Sequence, residues 1–539
     1  LIITLKTMKI LVSKINLAFK GLKYRLLLDN STKRFISFNE NRWLKSEYKK
    51  IDSVVLVDKF TWNPWIYYYS YITNIIAKNK KSRIKYFYFP LKKNWFEKML
   101  IPDRRLNSVY KSFGCDKGLT SVGNFSFLKQ SNSLGRSFFN NLKSKNKLLE
   151  LEYKGILIGD LIYDTYLRNT AKSTVNLQDI YLLKIIQRAF RITMLCEEYF
   201  LKNKVEAIVP SHNVYISYGI IVRLGARFGI PSYRINSRQR GMTQFNLIKI
   251  EPPFFLGVHP YYEFKSLFKK LNDNQQIMAL KLGKDLLENR LSGNIDPGIV
   301  YMKKSSFNSD LSDNVFLKNG KPNVVIFLHC FFDSPHRYRS MLFPDFLEWI
   351  NFTLNEATQT DFNWYVKPHP NGLPGNNKIV DEIKKDHPKI NFMNDSVSNL
   401  QLIKEGVSSI FTVFGTVGHE FAYKSIPVIN AGDNPHVSFN FNFNPKSIED
   451  YKALIHKAGN LELEINKDEV KAYAYLYYLH YDTLNSKYKN VIKDDDFINS
   501  NLGINQYSSK IYDYYIQNYS NEKDKRIIEY IESFLDINK

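Results

Sequence analysis

The 539-residue sequence holds only three cysteines, Cys115, Cys196 and Cys330. They lie far apart, in neither a metal-binding spacing nor a disulfide framework, which points to a reducing compartment. No GxxxxGKS/T phosphate loop occurs, which argues against a P-loop nucleotide hydrolase. Clustered acids are confined to Asp494–Asp496, in a polar tail segment, so no metal held by paired aspartates at a strand end is expected. No stretch reaches the roughly 18 apolar residues that a transmembrane helix needs. Phe60–Ala77 comes nearest, but Asn63, Pro64, Ser70, Thr73 and Asn74 interrupt it. With 24 Gly and 19 Pro the chain is neither collagen-like nor of low complexity. Residues 1–7 precede Met8, which opens the strand-like run MKILVS, and they lack the small-residue cleavage site of a signal peptide. The expected address is cytoplasmic, with peripheral contact at the inner membrane.

What the chain does have is aromatic and basic. Phe and Tyr number 38 and 36, and 44% of residues are hydrophobic, so a large core forms and global disorder is excluded. The length suits two or three domains. Net charge is +24, unevenly distributed. Residues 1–250 carry 44 Lys and Arg against 16 Asp and Glu, whereas 251–539 carry 32 against 36. A basic front half calls for an anionic partner: a membrane surface, an acidic glycan or nucleic acid. No nucleic-acid recognition motif accompanies the charge, and the sharpest motifs lie in the neutral half, so nucleic acid is not expected.

Short β-rich runs alternate with helical patterns. RFISF (34–38), DSVVLV (52–57), IKYFYF (84–89), EAIVPS (206–211), NVVIFLH (323–329), NWYVKP (363–368), SSIFTVF (408–414) and IPVINA (426–431) read as strands. Leu177–Phe200 and Phe343–Glu356 read as amphipathic helices. Such alternation predicts parallel sheets flanked by helices, an α/β fold. The stretch 291–322, rich in Ser, Asn, Asp, Gly and Lys, reads as a linker near the change of charge. The expected division is a basic domain (1–290), the linker, a second α/β domain (323–464) and a helical C-terminal segment (465–539) that crosses both.

Four segments carry candidate chemistry. NWYVKPHPNGLPG (363–375) is a strand running into a stiff loop, where α/β sheets bind ligands. There Pro368 and Pro370 restrict the backbone around His369, and Lys367 adds positive charge. SSIFTVFGTVGHEFAYKSIPVINAG (408–432) reads strand, turn, helix, strand. Gly415 and Gly418 permit close backbone approach, helix-tip amides and Thr416 suit an anion, and Glu420 suits ribose hydroxyls. The loop within FLHCFFDSPHRYR (327–339) offers His329, Asp333, Ser334, His336 and Arg337 to an interdomain cleft. In the front half, YKGILIGDLIYDTYLRNT (153–170) sets Asp160 and Asp164 four apart in apolar surroundings, as a base or nucleophile, or as a structural pair of Asp164 with Arg168. His212, in VPSHNVYISYG (209–219), stands at another strand end. Each has a plainer alternative: a turn, a cap, a solvated loop charge or a satisfied core histidine.

VKPHP together with GTVGHEFAYKSIPVI resembles the donor domain of GT-B glycosyltransferases that build bacterial capsule and surface polysaccharide. Similar His-Pro and Ser/Thr-x-x-x-Glu elements occur in bacterial sialyltransferases, Kdo transferases and teichoic-acid glycerophosphate polymerases. HCFFDSPHRYRSMLFPDFLEWI and YKGILIGDLIYDTYLR resemble capsule polysaccharide biosynthesis proteins. The resemblance spans about 320–435 and about 150–235, and is absent over 1–110 and the tail. It implies two Rossmann-like domains facing across a cleft. It also implies a nucleotide-sugar donor, most simply a CMP-activated Kdo- or sialic-type ulosonic acid, and a lipid-linked or oligosaccharide acceptor. Carried over, His369 contacts donor phosphate or ribose, Thr416 takes the Ser/Thr place and Glu420 binds ribose. Neither a cofactor nor an obligatory metal is implied. If transfer proceeds with retention by double displacement, Asp160 is the expected nucleophile. A CDP-polyol phosphate transferase, a nucleotide-diphosphate hexose user and a sugar-nucleotide epimerase are the alternatives.

Overall fold

A computed structural model of the chain describes residues 26–44, 52–90, 103–236, 246–250, 260–294, 305–308, 314–338, 340–478 and 508–537. The MKILVS run, Asp494–Asp496 and residues 295–304 and 309–313 of the expected linker lie outside them.

The first domain contains β1 (Ser53–Asp58), β2 (Arg83–Tyr88), β3 (Cys115–Thr120), the antiparallel pair β4 (Glu152–Tyr153) and β5 (Ile156–Leu157), then β6 (Lys204–Val209), β7 (Ser232–Asn236) and β8 (Asn246–Ile250). Six of these form one sheet in the order β3-β2-β1-β6-β7-β8. It is parallel except for its β7–β8 edge. β1 reads as an unbroken apolar run because all six of its residues are buried. The second domain contains β9 (Asn323–Phe327), β10 (Asn363–Lys367), β11 (Asn391–Phe392), β12 (Val407–Thr412) and β13 (Val428–Asn430). They form an all-parallel sheet in the order β11-β10-β9-β12-β13. In both sheets the chain starts in the middle, runs to one side, then returns to the other. This creates a switch point beside β1 and β6 in one sheet, and beside β9 and β12 in the other, where the loops part and leave a crevice.

The run RFISF is not a strand. It lies inside the helix Asn30–Trp43, whose first turn is capped by Asp29 accepting from the Thr32 amide at 2.8 Å. What overrides its β propensity is packing against the far end of the chain. Phe35 stacks on Tyr512 with ring centroids 4.0 Å apart, and Tyr67 on Tyr515 at the same distance. The tail helices Lys510–Gln517 and Asn521–Ile537 thereby cover the aromatic helix Asn63–Lys80 on the first domain.

The preceding tail helix, Lys467–Tyr478, packs elsewhere. With Asp273–Leu291 it encloses a cluster that includes Ala422, Phe439 and Phe441 of the second domain. The two helices approach so closely that a Cβ on Gly283 would sit 2.0 Å from the Lys471 carbonyl oxygen. Residues 260–290, assigned to the first domain by the linker expected at 291–322, thus pack with the second domain. A further apolar cluster runs continuously from the helices Gly159–Thr170 and Ile180–Lys202 into β9 and the helix Phe346–Ala357, which locks the two domains together.

Candidate active site

Both switch points carry the histidines that the sequence singles out. In the second domain, His329 follows β9 and reaches over to the end of β12. Its Nε2 lies 3.1 Å from Thr412 Oγ1 and accepts from the Val413 and Phe414 amides at 3.2 and 3.4 Å. Burial, with the nearby His369, holds its pKa down at about 3, so the ring is a neutral acceptor that ties the crevice together. His369, in the loop after β10, accepts the Asn371 amide on Nδ1 at 3.1 Å. That bond assigns the ring hydrogen to Nε2, making His369 a donor toward anything bound beyond it. Pro370 follows in the same loop.

Lys367 ends β10 and is 1% exposed; burial lowers its pKa to about 8, opposed by Asp395 and Glu420. Glu420, also buried, accepts from Arg290 Nε at 2.5 Å, and Arg290 Nη2 lies 3.4 Å from Thr416 Oγ1. Lys367, His369, Thr416 and Glu420 therefore share one neighbourhood. Arg290, from the helix Asp273–Leu291, joins them without any local sequence signal, 130 positions before its partner.

The helix tip differs from expectation. The helix Val417–Ala422 is six residues long, and Thr416 caps it without a side-chain bond. The amides of Gly418 and His419 are already taken by the carbonyls of Gly415 and Thr416. Gly418 is required for packing rather than ligand approach, since a Cβ there would lie 2.4 Å from His436 Cε1. His436 in turn meets His419, whose other ring nitrogen lies 2.7 Å from the Tyr478 hydroxyl. Gly415 does face the crevice, with Thr412 Oγ1 and His329 Cε1 as its neighbours.

The loop after β9 bridges the domains. Asp333 accepts from Arg168 and from the Tyr215 hydroxyl, both at 3.2 Å. His336 Nδ1 lies 2.6 Å from Asp164 Oδ1, and its Nε2 is 2.9 Å from the Pro344 carbonyl. Burial would lower His336, but Asp164 outweighs it and the net shift is upward. The expected Asp164–Arg168 pair is thus replaced by two interdomain contacts. Asp160 is not free either: Arg223 donates to both its oxygens, at 2.6 and 2.5 Å. Across the same boundary Asp345 caps the helix Phe346–Ala357 and accepts from Tyr163 and Thr174. Two residues here hold left-handed backbone, Tyr215 at φ 61° and Ser334 at φ 49°, and Tyr215 opens a π-turn, Tyr215–Gly219. Conformations of this kind concentrate at functional sites.

His212 stands at the first domain's switch point, in a group that sequence reasoning missed. Ser211 Oγ donates to Asp58 Oδ2, and His212 Nδ1 lies 3.0 Å from Ser211 Oγ. Asp58 ends β1 and is 3% exposed; burial raises its pKa to about 7 against the hydrogen bonds of Ser211. An ionised Asp58 only accepts, so Ser211 gives it the hydroxyl hydrogen and takes the Nδ1 hydrogen of His212, which leaves Nε2 bare. The ring is packed by Phe60, Trp65 and Tyr218 at centroid distances of 5.5, 5.5 and 5.2 Å. Burial, then Arg234, Arg337 and Arg168, depress its pKa to about 3. The one signal for Asp58 in the sequence is its place as the charged end of an apolar strand. Among the described residues no group of three or more His, Cys, Asp or Glu side chains converges as a metal site.

Two sheets, parallel but for the β7–β8 edge and each with a switch point, and helices from the tail on both domains make this a two-domain α/β protein of the GT-B type. No family matches the chain, and no curated protein matches it by sequence. Among solved structures, the beta Kdo 2,4 transferase KpsC of Thermosulfurimonas dismutans is 16% identical, with a TM-score of 0.33, over 52% of this chain and 86% of that one. The UDP-GlcNAc 2-epimerase of Methanocaldococcus jannaschii, solved with UDP-GlcNAc and UDP, is 12% identical, with a TM-score of 0.23, over 78% and 98%. Among the described residues no helix is long and apolar enough to cross a membrane.

Proposed function

We propose that the protein is a glycosyltransferase of bacterial surface polysaccharide assembly. Its donor is a CMP-activated sugar of the Kdo or sialic type, bound by the second domain, and its acceptor is a lipid-linked or oligosaccharide glycan bound by the first. The observation that carries this reading is the pairing of the two switch points. One presents Lys367 and the Nε2–H of His369, the other the bare Nε2 of His212, and Asp333 spans the gap by meeting Arg168 and Tyr215.

In this scheme His369 donates to a donor phosphate oxygen. Lys367, still protonated at neutral pH, offsets the charge that builds on the departing nucleotide phosphate. Glu420, fixed by Arg290, accepts from ribose hydroxyls. The acceptor hydroxyl gives its proton to His212 Nε2 as its oxygen bonds to the anomeric carbon and the bond to phosphate breaks. The positive charge formed on the ring is relayed through Ser211 toward Asp58. Where Asp58 is ionised the His212 Nε2 carries no proton and can accept one, and the anionic substrates offset the arginines that add to burial in holding its pKa down. Asp160 supports its helix through Arg223. The excess positive charge of residues 1–250 favours an acceptor held at an anionic inner leaflet, worth ~1 kcal/mol for each well-placed Lys or Arg.

Thermal-shift titration with CMP, CDP, UDP and GDP tests the reading. Stabilisation by CMP that disappears in His369→Ala supports it. Response to CDP alone would point instead to polyol phosphate transfer. Response to UDP alone would favour a hexose transferase or an epimerase.

A further inference from the structure

A cavity lies at the carboxyl edge of the first sheet, lined by none of the donor residues. Its volume is about 530 Å³, and it sits between the ends of β2 and β3 and one face of the helix Ile180–Lys202. Lys184, Arg188 and Arg191, spaced four and three apart, line that face, and no Asp or Glu lines the cavity among the described residues. Arg188 donates to the Pro90 carbonyl and Arg191 to the Ser121 carbonyl at 2.9 Å, so both guanidinium groups are anchored in place. Burial lowers the pKa of each, Arg188 to about 10, with Arg191 adding to the effect on Arg188. Arg191 Nε is a buried donor without a hydrogen-bond partner.

Arg188 and Arg191, partly buried without an acid between them and with the exposed Lys184 one turn away, repel one another, and a fold keeps such a set most readily where a bound anion offsets it. Anchored guanidinium forks match the two oxygens of a carboxylate or phosphate. The mouth carries Phe125, 60% exposed, and Leu128 beside it, apolar surfaces that suit the C–H face of a pyranose ring. The volume falls within the roughly 300–1,000 Å³ of small-ligand pockets, too small for a nucleic-acid duplex. Tyr218, whose ring is 5.2 Å from that of His212, lies in the electrostatic surroundings of Arg188.

We propose that this cavity is an acceptor subsite for an acidic saccharide, with Arg188 and Arg191 holding its carboxylate and Phe125 its ring face. The inference rests on the glycosyltransferase reading, and names the class of acceptor.

Calorimetric titration of the full chain with a galacturonate tetramer, with maltotetraose and with inorganic phosphate tests it, without nucleotide present. The acidic tetramer is expected to bind more weakly as salt rises, and maltotetraose not to bind. Arg191→Gln is expected to weaken the acidic tetramer at least tenfold and Lys184→Gln a few-fold, while CMP affinity stays at the wild-type value. Lys184→Gln guards against a folding defect in the arginine variant. Equal binding of the neutral and acidic tetramers, or unchanged affinity in both variants, overturns the proposal. Binding of phosphate but not of the acidic tetramer overturns the saccharide assignment and leaves a phosphate site. If the acidic tetramer binds as expected but CMP does not, the donor reading fails and the subsite stands; the reverse result removes only the subsite.

Discussion

Replacing Asp58 with Asn tests the buried relay by a route that needs no substrate. The folded chain holds the Asp58 proton up to about pH 7, against an ordinary value of 3.8. Between those values the folded state binds one proton more than the unfolded state, so stability contributed by Asp58 is complete below the lower value and is lost as pH rises through the upper one. At 1.36 kcal/mol per unit, a rise of this size amounts to ~4 kcal/mol. The Asp58→Asn side chain keeps an acceptor for Ser211 but does not titrate. Urea denaturation of both proteins at pH 4.5 and pH 8, at equal ionic strength, gives the quantity directly. The variant is expected to gain on the wild type by ~3 kcal/mol between the two pH values, the part of the shift that lies above pH 4.5. An identical stability difference at both would refute burial as the cause and remove Asp58 as a titrating partner of Ser211. Turnover should move the other way. Wild-type kcat is expected to rise through pH 7 as Asp58 ionises and fixes the His212 tautomer, and the Asp58→Asn profile to be flat and low with KM little changed.

Two further substitutions probe packing on either side of the cleft. Arg223→Met leaves the Asp160 carboxylate buried without its partner and is expected to cost ~3–5 kcal/mol in denaturant unfolding. The double variant Asp160→Leu/Arg223→Met should recover most of that loss, and a double variant as unstable as the single one would contradict the ion-pair account. Gly418→Ala forces a Cβ against His436; a loss of ~1–3 kcal/mol is expected by thermal unfolding, and wild-type stability would show that Gly418 does not hold that contact.

The sequence made the parallel strands legible because their apolar runs are buried on both sides, and β1, β9, β10 and β12 lie close to where periodicity puts them. It failed at Phe35, whose partner Tyr512 stands near the other end of the chain and turns a β-like run into a helix. It also missed β3, whose CDKGLT sequence carries charge and glycine and lies at the sheet's edge. At the site, Lys367, His369 and Glu420 stood out because a strand end or a small-residue turn marks them. Arg223 and Arg290 did not, since an ion pair across 63 or 130 positions leaves no local pattern. Ser211 adjoined a noticed histidine, but only the fold brings Asp58 to it, through the parallel pairing of β1 with β6. The helix-tip anion site looked better in sequence than in space, because spacing does not reveal which amides the turn already engages.

Photolabelling with an azido-cytidine monophosphate, followed by peptide mass spectrometry, tests the central claim most directly. The account predicts adducts within 363–375 and 408–425 that excess CMP suppresses and His369→Ala weakens. Adducts confined to the first domain, or labelling that CMP does not compete away, would contradict it.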